Sequence, residues 1–162
     1  MNSELIKDRP KSGHYASNSL AIWHKGVPRA KIDIVMVKDT KTSQVVAVLG
    51  ASTKPDRYAY RALKLLRDYG HRAVPVNPAC DEILGEKCYP RVGDVPDKID
   101  TVTIYLRKAR SDPLIDEIVD VAPRRIIMNP GAENSDLATK ARERGIEVVE
   151  NCTLVMLRSG VF

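Results

Sequence analysis

No apolar run in this 162-residue chain approaches the roughly 20 residues that a membrane-spanning helix needs. Met1 to Ala16 lack the apolar core of a secretory signal, so none is expected. Cysteine is scarce, and Cys80, Cys88 and Cys152 are spaced neither as a zinc pattern nor as a redox Cys-x-x-Cys pair. Such an odd, widely spaced set reads as the reduced thiols of a cytoplasmic protein. Histidine is equally scarce: His14 and His24 fall near the amino terminus, His71 just before a strand, and a surface role is read for each. No cluster with metal-ligand spacing is visible, so no metal is expected.

A one-sided charge is also missing from the bulk of the chain. The net charge is +5, but residues 1–44 hold eight Lys or Arg against four Asp or Glu, and the remainder holds 18 against 17. A part so nearly neutral argues against a broad basic face for DNA or RNA. What is present, 43% hydrophobic and 29% charged residues, suits a single globular domain with no room for a second.

Residues 1–43 mix Asn, Ser, Lys and Pro with isolated apolar residues and show no helical period. They read as a peripheral, poorly ordered arm, in which Ile32 to Val37 could add a strand and Ile22-Trp23 could anchor on the core. Acidic Glu4 and Asp8 argue against a transit peptide. From Gln44 onward, short apolar runs alternate with longer amphipathic ones, as in repeated β-α units on a parallel sheet.

Val45 to Leu49 predicts a central strand buried on both faces and ended by Gly50. Asp56 is expected to cap a helix whose Ala59, Ala62, Leu63, Leu66 and Tyr69 form one apolar stripe, ended by Gly70. Ala73 to Val76 predicts a second strand, stopped by Asn77-Pro78; a charged connection with only a turn of helix follows. Thr101 to Leu106 is the third strand, and Asp112-Pro113 starts a helix through Val121. Arg125 to Met128, a helix opened by Asn134 or Ser135 and ended by Gly145, and a strand at Ile146 to Val149 complete the pattern. Together these predict an α/β, Rossmann-like, doubly wound parallel sheet of about five strands in three layers, with order 3-2-1-4-5.

In such sheets ligands bind beyond the carboxyl ends of the strands, where the order reverses. That places the residues after Val45 to Leu49, Asn77-Pro78, the residues after Tyr105, and Asn129-Pro130-Gly131 around one crevice. Gly50 permits a tight turn, Ala51 and Ser52 are small enough for main-chain amides to approach a phosphate, and Ser52 and Thr53 add hydroxyls. Lys54 and Arg57 add charge beside the positive end of the following helix, so a pyrophosphate is the natural guest. The plainer alternative is that a strand-to-helix turn merely needs a glycine.

Gly50-Ala51-Ser52-Thr53-Lys54-Pro55 lacks the second and third glycines of the dinucleotide fingerprint, and Val76-Asn77-Pro78 lacks the acidic residue that would bind a nicotinamide cofactor's ribose, which disfavours NAD. No Gly-Lys-Ser or Gly-Lys-Thr makes it a Walker loop. Ser52 has no evident histidine or lysine base, so no catalytic residue is assigned.

The ordered set Gly50-Ala51-Ser52, Asp56 to Arg61, Val74-Pro75-Val76-Asn77-Pro78, Gly85 and Val148 to Cys152 resembles the small stand-alone CoA-binding proteins, whose fold is similar to the N-terminal CoA-binding domain of the succinyl-CoA synthetase α subunit. The resemblance covers Gln44 to Phe162. It implies coenzyme A or an acyl-CoA as ligand, with Gly50, Ala51, Ser52, Thr53, Lys54 and Arg57 at the phosphates and Val76, Asn77, Pro78, Tyr105 and Leu106 flanking the adenosine.

Where many members carry Trp-x-Gln-x-Gly, this chain has Met128-Asn129-Pro130-Gly131-Ala132-Glu133-Asn134, as in a smaller subgroup. The synthetase's phosphorylated histidine lies on a domain with no counterpart here, so the resemblance implies binding rather than ligase chemistry. Two alternatives stay open: an enzyme acting on a CoA thioester or nucleotide through Ser52, Lys54 or Cys152, and an interaction protein that docks a partner through its basic arm or Leu154 to Leu157. A homodimer is compatible with either.

Overall fold

The computed structural model describes residues 43–162. The expectations for the arm, including the Ile32 to Val37 strand and the Ile22-Trp23 anchor, lie outside the described residues.

β1 (Val45–Leu49) leads through a loop to α1 (Tyr58–Asp68) and then β2 (Arg72–Val76). A two-stranded hairpin follows, β3 (Glu82–Ile83) with β4 (Glu86–Lys87), and then a 3₁₀ turn at Val92–Asp94. β5 (Thr101–Ile104) is followed by the short α2 (Lys108–Ser111), a 3₁₀ turn at Asp112–Leu114, and α3 (Ile115–Asp120). β6 (Arg125–Met128), α4 (Ser135–Glu143), β7 (Glu147–Glu150) and α5 (Thr153–Ser159) close the fold. The principal sheet is parallel throughout and runs β2-β1-β5-β6-β7.

Strands covered on both faces must be apolar on both, which is why β1 reads as an unbroken run. Val46 and Val48 pack with Leu63 and Leu66 of α1 and Met156 and Leu157 of α5. Ala47 and Leu49 point the other way, into a cluster with Ile118 of α3 and Leu137 of α4. The molecule is therefore the expected three-layer, doubly wound α/β sheet.

Its strand order departs from expectation at one place. Counting only the five principal strands, the order is 2-1-3-4-5, because the third strand pairs with β1 instead of lying outside β2. The outer edge of β2 is already taken: the Tyr89 amide donates to Pro75 O at 3.0 Å, and the Asn77 amide donates to Tyr89 O at 2.9 Å. Pro75, which has no N–H to give a sheet ladder, is tolerated because β2 is an edge strand.

Other local expectations are corrected too. The cap of α1 is Arg57, with no side-chain bond to the first turn, and not Asp56; Tyr69 is 46% exposed at the helix end and drops out of the apolar stripe. The helix expected from Asp112-Pro113 begins earlier, at Lys108, and reaches Asp120 through a 3₁₀ turn into which the fixed φ of Pro113 fits. The connection after β2 holds its one turn of helix, as expected, but also a hairpin. His71 is buried rather than at the surface; its Nδ1 accepts from the Gln44 amide at 3.3 Å, and its ring lies against Phe162. Leu154, Met156 and Leu157 are buried within the fold, leaving only Val155 of that segment exposed, so it is not a free docking face.

α4 starts as expected at Asn134, whose Oδ1 accepts from the amides of Asp136 and Leu137 at 3.1 and 3.2 Å. Among the described residues, no helix is long and apolar enough to cross a membrane.

Candidate functional site

The chain leaves β1 at Gly50 with φ of +85°, a conformation in which glycine carries no penalty. A Cβ there would lie 2.8 Å from Leu106 Cδ2, so the residue is also pressed against the chain leaving β5. The Gly50 and Ala51 amides both donate to Val76 O, at 3.0 and 3.3 Å, tying the loop to the end of β2. The Asn77 side-chain amide completes the tie by donating to Ala51 O at 2.6 Å. Ala51 thus offers no open amide to a phosphate, contrary to the simplest reading of its small side chain.

The next amides are open. Among the described residues, those of Ser52 and Thr53 and the first-turn amides of α1 (Tyr58, Ala59 and Tyr60) have no acceptor. The Ser52 hydroxyl accepts from the Lys54 amide at 3.2 Å, folding the loop back toward the helix. α1 has no acidic residue in its first turn, so the positive end of its dipole is unneutralised by its own side chains.

Two adjoining cavities lie beyond these strand ends. The first, about 410 Å³, has apolar walls from Leu49, Val76, Pro78, Pro90, Val92, Pro113 and Leu114, with Arg91, Arg110 and Glu117 at its polar side. The second, about 540 Å³, lies along Ala51, Ser52, Lys54 and Arg57, with Tyr58 and Ala59 of α1 on one side and Asn129, Pro130 and Gly131 on the other. Gly50, Asn77, Leu106 and Arg110 line both, which makes them one continuous crevice.

The crevice gathers most of the expected residues and rearranges several. Val76 and Pro78 border the apolar cavity, Asn77 and Leu106 border both, and Tyr105 borders the second. Thr53 lies on the loop but lines neither cavity. Asn129 is 3% exposed and fully engaged: Nδ2 donates to Thr103 Oγ1 and Ile104 O, and Oδ1 accepts from the Thr153 amide. Its side chain sets the β6 terminus in place. The Gly131 amide donates to both carboxylate oxygens of Glu133, at 3.0 and 2.9 Å. Glu133's own main-chain amide and that of Gly131 hold its carboxyl below the usual glutamate value.

Two basic residues were missed in the sequence, Arg107 and Arg110, which enter the second cavity from the chain after β5. Their signal was the run Arg107-Lys108-Ala109-Arg110 directly after a strand, hidden when the helix was started at Asp112. Lys108 is turned away and pairs with Asp112 and Asp136 at 2.8 and 2.7 Å. Among the described residues, Lys54, Arg57, Arg107 and Arg110 have no carboxylate partner, while Arg91 is paired with Glu117 at 3.1 Å. Burial drives the Tyr105 phenol well above its ordinary value, which favours its neutral form.

Residues 44–158 match the family described as the CoA binding domain. The Bacillus subtilis protein YneT is 28% identical over 107 residues, covering 66% of this chain and 79% of that protein. An ADP-forming acetate–CoA ligase of Methanocaldococcus jannaschii is 44% identical over 61 residues, which are 38% of this chain and only 9% of the ligase. A crystal structure of an uncharacterized protein aligns with a TM-score of 0.70 at 38% identity, over 74% of this chain and 98% of that one. A match that spans nearly all the described residues, on a sheet of this topology, shows that the chain belongs to the CoA-binding domain family.

Proposed function

We propose that this chain binds coenzyme A or an acyl-CoA in the crevice beyond β1, and that this crevice is a binding or regulatory site rather than a catalytic one. The observation that carries the reading is the convergence of unpaired Lys54, Arg57, Arg107 and Arg110 with the open amides of Ser52, Tyr58 and Ala59. A pyrophosphate satisfies both sets at once, because main-chain amides and guanidinium groups form charge-assisted hydrogen bonds with phosphate oxygens.

The adjoining apolar cavity suits an adenine, with Val76, Pro78 and Leu106 against the ring and Asn77 between base and phosphates. Gly50 and Ala51 shape the turn, Thr53 completes the loop, and Ser52, Lys54 and Arg57 meet the diphosphate. Tyr105, Asn129, Pro130 and Gly131 form the far wall. A cytoplasmic setting belongs to this reading, since coenzyme A and reduced thiols coexist there.

Thermal denaturation in the presence of CoA, acetyl-CoA, NAD, NADP, ATP and FAD tests it. A ligand at about a hundredfold over its dissociation constant adds roughly 2.7 kcal/mol of stability. Stabilisation by CoA is expected, and stabilisation by NAD alone would overturn the assignment.

A further inference from the structure

The β3–β4 hairpin reverses at Leu84 and Gly85, both with positive φ (55° and 77°), a tight turn that fixes the register Glu82 to Lys87 and Ile83 to Glu86. Flanking residues are thereby brought together: the Cys88 amide donates to Asp81 O at 2.7 Å, and Cys80 Sγ lies 3.0 Å from Cys88 Sγ. Both sulfurs sit over the same carbonyl, Asn77 O, at 3.8 and 3.5 Å. Arg67 holds the hairpin from α1 by donating to Leu84 O at 2.6 Å, and Tyr89 binds it to β2. The backbone, rather than any sulfur bond, sets the two thiols in contact.

We propose that Cys80 and Cys88 are a dithiol redox site that reduces low-molecular-weight disulfides and closes to an intramolecular disulfide. Cys80 is half-buried and reachable, whereas Cys88 is buried. Cys80, as its thiolate, attacks one sulfur of the small disulfide; that S–S bond breaks, and one small thiolate leaves and takes up the proton Cys80 has lost. Cys88 then attacks Cys80 Sγ, the mixed disulfide breaks, and the second small thiolate leaves with the Cys88 proton. In balance, the protein dithiol loses two electrons and two protons, and one small disulfide becomes two thiols. Burial and the neighbouring Cys80 push the Cys88 thiol up to about 12, which suits the resolving position better than the attacking one. Disulfides of intracellular proteins are mostly transient and redox-active, which fits a pair at the edge of the core, with Cys88 inside the α1–α5 cluster and Cys80 packed against it. The two sulfurs lie over the carbonyl of Asn77, whose side chain braces the Ala51 loop, so the dithiol adjoins a residue that lines the crevice.

The full chain is reduced, incubated with oxidised glutathione, alkylated and digested with trypsin. Cleavage after Lys87 places Cys80 on residues 73–87 and Cys88 on residues 88–91, so an internal disulfide appears as these two peptides joined. The expected result is that joined species, a loss of two hydrogen atoms from the intact mass, and Cys152 recovered fully alkylated. Cys88→Ser should stop as a glutathione adduct on Cys80, and Cys80→Ser should leave Cys88 unmodified. Recovery of both peptides separately alkylated from the wild type overturns the proposal, as does a link to Cys152 or between two chains. Should either serine variant fail to fold, the wild-type peptide map alone decides. Oxidised glutathione does not depend on the CoA reading, so either proposal can fail without the other.

Discussion

Asn77 donates its side-chain amide to the main-chain oxygen of Ala51 at 2.6 Å, and so joins the end of β2 to the loop that follows β1. Its Oδ1 accepts from the Ala79 amide at 2.9 Å, and its own amide donates to Tyr89 O. One residue therefore fixes the loop, the chain leaving β2 and the approach of the hairpin. Asn77→Ala leaves Ala51 O and the Ala79 amide without these partners, at a cost of about 1–3 kcal/mol for a group left unsatisfied. Urea unfolding should register that loss, and calorimetric titration with CoA should show affinity reduced by about tenfold or more, as 1.4 kcal/mol of lost loop order implies. Unchanged affinity would show that the loop keeps its shape without the strut.

The Gly50 site separates two costs that are usually mixed. Gly50→Ala imposes a left-handed conformation on an L-residue, at about 1–2 kcal/mol, and also drives a methyl group to 2.8 Å from Leu106 Cδ2. Adding Leu106→Ala removes the overlap and leaves the backbone strain. The double variant should thus be less destabilised than the sum of the two singles in a chemical-denaturation cycle. Additive losses would mean that Leu106 swings aside freely.

Much of this architecture was legible because parallel strands buried on both faces are written as short apolar runs, as at Val45–Leu49 and Arg125–Met128. The strand order was less legible, since it is decided by Tyr89 occupying the edge of β2, and the hairpin that delivers Tyr89 has strands of only two residues with no apolar pattern. Pro75 was the available sign of an edge. The glycine loop could be located from its position after β1, but which of its amides are open depends on Val76 O, a contact between residues 26 apart in sequence for Gly50 and 25 apart for Ala51. Arg107 and Arg110 were passed over because Asp112-Pro113 is a strong start signal, whereas the helical turn at Lys108 has no capping side chain to announce it. The meeting of Cys80 and Cys88 rests on a turn through Leu84, a residue type that rarely adopts positive φ.

Glu133 predicts a specific response to acid. Its carboxyl is held below the ordinary glutamate value of 4.5 by main-chain amides, so the folded state favours the ionised form. The contribution is present above the unfolded value and disappears as the pH falls from there through the lower folded value. Glu133→Gln should therefore be less stable than wild type near neutrality, with the gap narrowing as the medium is acidified below 4.5. Urea midpoints of the two proteins across that range check it; a gap that stays constant would mean the carboxylate's contacts with Gly131 do not depend on its charge.

The unpaired arginines offer the sharpest test of what the crevice is for. Arg57 and Arg110 approach the second cavity from opposite sides, one before α1 and one in α2, and neither has a carboxylate partner among the described residues. Truncating either to Ala removes no internal ion pair, so stability should change little, within about 0.5 kcal/mol for an exposed side chain. Affinity for CoA should nevertheless fall by about 1.5–3 kcal/mol per substitution, the range for hydrogen bonds to charged groups. Pantetheine, which shares the thiol arm but carries no phosphate, supplies the control: its binding should be weak and equal in wild type, Arg57→Ala and Arg110→Ala. The salt dependence should follow the same division, with CoA affinity of the wild type falling steeply as ionic strength rises and that of the variants falling less, because fewer charges remain to be screened. If both substitutions weakened pantetheine as much as CoA, the arginines would be shaping the crevice rather than meeting phosphate.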